Sequence, residues 1–285
     1  MITIFISVFF NSILLVILKL FAKYEINTLH ALVANYFTAF TVGLIVNQTG
    51  FSPSEFIAQP WAIGCFVIGF LFITVFFATA KTAQANGIGV ASIASKMSLI
   101  IPILSGVVIF NEVLNLYKII GIILALVAVF FATKKEGMTI NKDYFLYPIL
   151  VFIGAGIIDA SLNYFQVKLI PSEDTGIFSL SSFLMAFFAG ILIITIKTFT
   201  QPEKILGKSI LGGIVLGIPN YFSLYYLIKM LEHPTLNSSA IFTIHNVSIV
   251  IFTTLIGVLF MKESLSKKNI LGLFLAILAI IIVSL

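Results

Sequence analysis

Three ionisable residues stand inside stretches that are otherwise apolar: Lys96 in "ASIASKMSLIIPILSGVVIF", Asp159 in "IGAGIIDASLNYFQ" and His245 in "AIFTIHNVSIV". A charge at membrane depth costs at least a few kcal/mol, so one that persists faces a wet cavity or a partner. A lysine there presents a compact, strongly hydrated cation with three donors, suited to a carboxylate or a phosphate. Ser92 lies one turn before Lys96, and Ser95 and Ser98 lie close by in sequence, a hydroxyl flank on which an ammonium can rest. Asp159, Asn163 and Gln166 are spaced i, i+4 and i+7, which puts all three on one helical face. Asp159 could hold the amino group of a zwitterion, neutralise Lys96 in a structural ion pair, or carry a coupling proton. His245 is the other proton candidate, because imidazole titrates near neutrality; a histidine hydrogen-bonded to a neighbouring helix is the plain alternative. Asn35, Asn220, Tyr221 and Tyr225 complete the candidate substrate-binding set. Tyr221 and Tyr225 share a face that would make an aromatic wall, and interhelical hydrogen bonding is the ordinary alternative for each polar member. No residue is assigned a catalytic role. Glu112 and Glu263 sit where apolar runs end, beside Asn111 and Lys262, at an interface where charges stay hydrated.

The elements that must carry these residues are membrane spans. The chain has 285 residues, 60% hydrophobic and 9% charged, with mean hydropathy +1.16, whereas a soluble domain carries roughly a quarter charged residues. A helix needs roughly 20 apolar residues to cross the hydrocarbon layer. Ten such runs lie near 2–22, 28–47, 61–80, 88–110, 117–133, 145–167, 175–197, 209–229, 237–260 and 269–285. The longest connections, such as "NQTGFSPSEFIAQP" and "KKEGMTINKDY", are too short for folded extramembrane domains, so any activity lies in the bundle. The first run has no basic region ahead of it and no cleavage pattern after it, and reads as a retained helix. Cys65 has no second cysteine to pair with, which excludes a disulfide framework or a cysteine metal site. No metal and no cofactor is expected.

The basic balance consists of 16 lysines without an arginine, scattered over loops, which argues against nucleic acid and for membrane topology. Twelve of them (Lys19, Lys23, Lys81, Lys134, Lys135, Lys142, Lys197, Lys204, Lys208, Lys262, Lys267 and Lys268) fall on one face, and only Lys118, Lys168 and Lys229 on the face that carries both termini. Counted alone, this bias makes the first face cytoplasmic and puts the termini outside.

The chain is also written twice. "GVVIFNEVLNLYKIIGIILALVAVFF" aligns with "GVLFMKESLSKKNILGLFLAILAIII", so that Glu112, Gly121, Ala125 and Ala128 answer Glu263, Gly272, Ala276 and Ala279 at a spacing of 151. The halves are 1–136 and 143–285, joined by a loop at 137–142. Each holds five spans, and an odd number inverts the second half across the membrane. Inverted repeats of this kind characterise secondary transporters, whose halves exchange conformations around a central site.

A span with a mid-helix proline, Pro102, then a glutamate in "FNEVL" and a tight turn into "GIILAL", echoed by "MKESL" and "GLFLAI", resembles the EamA-type branch of the drug/metabolite transporter superfamily. The breaks "ATAKTAQANGIGVASIAS" and "YLIKMLEHPTLNSSAIFT" are similar to that family too. The resemblance implies ten helices in a basket, with spans one to four and six to nine around a cavity and spans five and ten at the periphery. It also implies cytoplasmic termini, opposite to the lysine bias, so orientation stays open. The ninth span has Thr253 where the fourth has Pro102, so the halves need not bend alike.

The expected fold is therefore an all-α integral membrane protein of ten transmembrane helices in two inverted five-helix repeats, in the inner or plasma membrane. The expected function is secondary transport, by alternating access, of a small anionic or zwitterionic metabolite such as an amino acid. Export and proton coupling are open within that reading, as is a monomer or homodimer in the bilayer. The alternatives are a cationic drug exporter, a lipid flippase and a membrane-embedded enzyme. The sequence has no HExxH, no nucleotide-binding glycine loop and no Ser/His pair on an evident strand-turn-helix to support the last.

Overall fold

The computed structural model describes residues 2–48, 52–86, 88–134, 142–200, 206–232, 236–261 and 265–283. Its helices are α1 (Ile2–Lys23), α2 (Thr28–Asn47), the short α3 (Pro53–Ala58), α4 (Ala62–Asn86), α5 (Ile88–Met97), α6 (Ile100–Phe110), α7 (Leu116–Thr133), α8 (Leu146–Lys168), α9 (Thr175–Thr200), α10 (Gly207–Leu231), α11 (Ser238–Met261) and α12 (Lys267–Val283). No strand occurs among the described residues. This follows from the composition, because lipid offers no partner to backbone groups and a helix satisfies its own. Eight segments are long and apolar enough to cross a membrane. The chain is a multi-pass membrane protein. α1 is apolar over Ile2–Leu18, and α12 has 17 residues.

Polar side chains mark where the helices begin. Asn27 Oδ1 accepts from His30 N at 3.2 Å, Asn115 Oδ1 from Lys118 N at 2.8 Å and Asn237 Oδ1 from Ala240 N at 3.1 Å. Ser266 and Asn269 cap reciprocally. Each satisfies backbone donors that a helix leaves without an internal partner. The expected fourth span is two helices. α5 stops at Met97 and α6 starts at Ile100, because Pro102 has no N–H for the Ser98 carbonyl and its ring crowds that group. Ile101 N takes the Ser98 oxygen instead, at 2.9 Å in a tighter turn, and Ser98 Oγ donates to Ser95 O at 2.6 Å.

The described chain packs as two compact units that do not follow the two sequence halves. One comprises residues 1–77 and 164–232. In it, a Cβ on Gly213 would collide with the Ala31 carbonyl, and one on Gly217 would meet Thr38, so α10 runs parallel to α2 at close range. This is the helix packing that a small-xxx-small pair permits. Gly43 against Leu180 and Gly190 against Val33 set α9 antiparallel to α2, and Gly69 against Met185 with Gly190 against Ile73 set it parallel to α4. α1 lies antiparallel to α10, with Ser7 Oγ donating to Ser223 O at 3.2 Å and Phe21 against Gly212.

The other unit comprises residues 78–163 and 233–285. Its core is the seam of α7 and α12, where Ala125, Ala128, Val129, Ala132, Ala276 and Ala279 are buried together with Val247 and Val250 of α11. Gly121 faces Val283 and Gly272 faces Ala132. Shifting each residue by 151 turns one of these contacts into the other.

Candidate functional site

The second unit holds five of the nine candidate residues: Ser92, Lys96, Asp159, Asn163 and His245. Lys96 is the penultimate residue of α5, immediately before the break in its span. It is 8% exposed, and its ammonium donates to Asn246 Oδ1 at 3.4 Å. Asn246 belongs to α11, where its amide nitrogen donates to Phe242 O at 3.1 Å. That bond orients the carboxamide so that its oxygen is presented to the lysine. Asp159, half-buried on α8, and His245, buried on α11, both lie within electrostatic reach of Lys96. Lys96 and Asp159 make no ion pair within 4.0 Å among the described residues. The structural ion pair weighed for these residues is thus not a direct contact here.

α8 approaches the broken span closely. Gly156 lies against Ile101 with no room for a Cβ, and Asp159 follows one turn later on the same face. Asn163 continues that face, 1% exposed, with neither amide atom hydrogen-bonded. Gln166 Oε1 is likewise buried and unbonded. Ser92 is half-buried on α5, one turn before Lys96. The arrangement is chemically specific: a buried cation with one neutral acceptor, an acid near it but not upon it, and a carboxamide with free valences on the acid's face.

The remaining candidates lie in the first unit. Asn220 Nδ2 donates to Asn35 Oδ1 at 3.1 Å, and the Asn35 amide nitrogen has no acceptor. Tyr221 and Tyr225 stack at 5.9 Å between ring centroids. Tyr221 is fully buried, and its hydroxyl accepts from Asn47 Nδ2 at 2.9 Å. Tyr221 thus packs α10 against α2. Cys65 is buried filler, its sulfur accepting from Ser182 Oγ at 3.5 Å.

His30 lies in the first turn of α2 and is 7% exposed. One residue departs from the sequence reading. Glu112, expected to stay hydrated, instead caps α11. Its Oε1 accepts from Ser238 N at 3.0 Å and from the Ser238 hydroxyl, and its Oε2 accepts from Ser239 N at 3.2 Å and from the Ser239 hydroxyl. Glu263 lies outside the described residues. Asn246, which accepts the hydrogen bond from Lys96, was not singled out by sequence. The available signal was its register: at the repeat spacing its neighbour Val247 answers Lys96. No group of three or more His, Cys, Asp or Glu able to hold a metal occurs among the described residues.

No protein-family model matches the sequence. A solved crystal structure has a TM-score of 0.72 to the chain at 13% identity and covers 98% of both chains, a likeness that shows shared fold. An uncharacterized protein of Haemophilus influenzae is 32% identical over 272 residues, which span 93% of this chain and 91% of that one. On that extent of identity, the chain belongs to the same family as the Haemophilus influenzae protein.

Proposed function

We propose that the chain is a secondary carrier for a small anionic or zwitterionic solute, of the EamA type within the drug/metabolite transporter superfamily, with ten spans in two inverted repeats. The direction of two helices in the first unit supports the span count. α4 and α9 run parallel, which requires an odd number of crossings between them. Three result when α5 and α6 count as one broken span followed by α7 and α8. The seam of α7 and α12 supports the inversion, because its two glycine contacts exchange under the 151-residue register as a two-fold axis demands.

The observation that carries the reading is Lys96. A buried ammonium has three protons to place and, among the described residues, meets one neutral acceptor, Asn246, at 3.4 Å. It stands where its helix is interrupted, the feature around which transporters build solute sites. A carboxylate or phosphate would supply the missing acceptors. Asp159, near but not bonded, takes the ammonium of a zwitterion or carries a coupled proton.

The test is a thermal-shift screen of detergent-purified protein against amino acids, organic acids, phosphorylated metabolites and cationic drugs, with Lys96→Ala in parallel. Ligands that bind the native state raise the melting temperature by mass action. A carboxylate or phosphate that stabilises the parent by several degrees and leaves Lys96→Ala unmoved is the expected result. If cations alone stabilise both proteins, cationic drug export replaces this reading.

A further inference from the structure

We propose that Glu112 is a positioning residue: by holding the first turn of α11, its carboxylate sets the height at which Asn246 meets Lys96. Asn111, in the left-handed conformation at φ 53°, ends α6. The chain then folds back, with Glu112 N donating to Gly106 O at 3.1 Å. The carboxylate lies directly over Gly106, where an added Cβ would come within 2.8 Å of Oε2. From there it accepts from both backbone N–H groups and both hydroxyls of Ser238 and Ser239. Charge-assisted bonds of this kind are roughly twice as strong as neutral ones, and a carboxylate also suits the positive end of the helix dipole.

Asn237 caps one donor of α11, the Ala240 N–H, whereas Glu112 takes the N–H groups of Ser238 and Ser239 from a different span. What Glu112 adds is a second fastening between the fourth span and α11. The first is Lys96 to Asn246. Between the two, α11 is an unbroken helix, and eight residues from Ser238 place Asn246 about 12 Å farther along it. The other strut, from Lys96 to Glu112, contains the break at residues 98–99. A stiff rod fastened at its first turn carries Asn246 to a fixed height, while the broken strut alone would let that height vary. The proposal uses the Lys96–Asn246 contact as geometry and rests on the carrier reading only for its consequence in solute binding.

The test needs no solute. Melting temperatures of the full-length protein in detergent are measured for Glu112→Gln, Asn246→Ala and the double variant, with hydrogen exchange followed over residues 88–97 and 236–241. Glu112→Gln is expected to lower the melting temperature by about 3–6 °C. The loss in the double variant is expected to fall short of the sum, because contacts joined through one rigid element are not additive. Exchange in α5 is expected to quicken. Additive losses, with faster exchange confined to residues 236–241, would make Glu112 a local cap and overturn the proposal. If Glu112→Gln does not fold, the same cycle run with Ser238→Ala/Ser239→Ala, which keeps the carboxylate and removes its two hydroxyl donors, decides the matter by the same criterion. Coupling found alongside a failed anion screen would leave Glu112 positioning Asn246 and sink only the carrier reading.

Discussion

At the scale of single residues, Lys96 combines high cost with low local return. It is 8% exposed, and its hydrogen bond to Asn246 is long at 3.4 Å. Burying charges without full compensation costs stability, and replacing such groups with apolar ones of similar volume is often neutral or stabilising. Lys96→Met together with Asp159→Asn, which removes both members of the electrostatic pair, should therefore melt within about 2 °C of the parent or above it. The same variant should lose any response to carboxylates or phosphates. A drop of more than about 5 °C would instead assign the pair to the architecture of the unit. Lys96, Asp159 and His245 were legible in the sequence because an ionisable residue at membrane depth has few explanations. Asn246 was not, since a lone asparagine in a span looks like any interhelical hydrogen bond. Glu112 was misjudged for a related reason: sequence gives its place at a span end but not the helix start that faces it.

At the scale of elements, small residues set the distances. Gly272 lies against the backbone of α7, where a new Cβ would come 2.7 Å from Ala132 Cα and from the Phe131 carbonyl carbon. Gly121 lies against a side-chain tip as well as backbone, with Val283 Cγ2 at 2.8 Å and Val283 N at 3.0 Å. Overpacking typically costs about 1–3 kcal/mol, and a side-chain tip yields more easily than a helix backbone. Gly272→Ala should therefore destabilise more than Gly121→Ala, a ranking that melting temperatures of the two variants in detergent would check. Equal losses, or the reverse order, would contradict the close approach of α7 and α12. These glycines were visible in the sequence as a repeat, although their partners were not. Helix ends lie close to the runs read from hydropathy, within a few residues over most of the chain, because loss of apolar character and capping residues coincide there. The break after Met97 was hidden. Pro102 drew attention to its own position, whereas its effect falls four residues earlier, on the Ser98 carbonyl that it leaves without a helical donor.

At the scale of the molecule, the lysine asymmetry and the helix directions bear on orientation. Under the proposed ten spans, alternation would put the connections after the first, fifth and seventh spans on one face, and those after the second, fourth and sixth on the other. The helix directions in the first unit agree with that alternation, since α1 is antiparallel to α10 while α2 is parallel to it. Twelve lysines flank the first face and three the second. Short basic loops are retained on the cytoplasmic side, so the first face should be cytoplasmic and the second exposed outside. The resemblance to EamA-type transporters argues the reverse, and direct labelling decides between them. With Cys65 changed to serine, single cysteines at Lys142 and at Glu173 would be treated with a membrane-impermeant maleimide in intact cells. Labelling at 173 alone follows from the lysine count, and labelling at 142 alone would mean that the charge bias does not set this topology. Labelling at both would require the chain to insert in two orientations. In that case the inverted repeat would operate between molecules as well as within one, since each half would meet the membrane from either side.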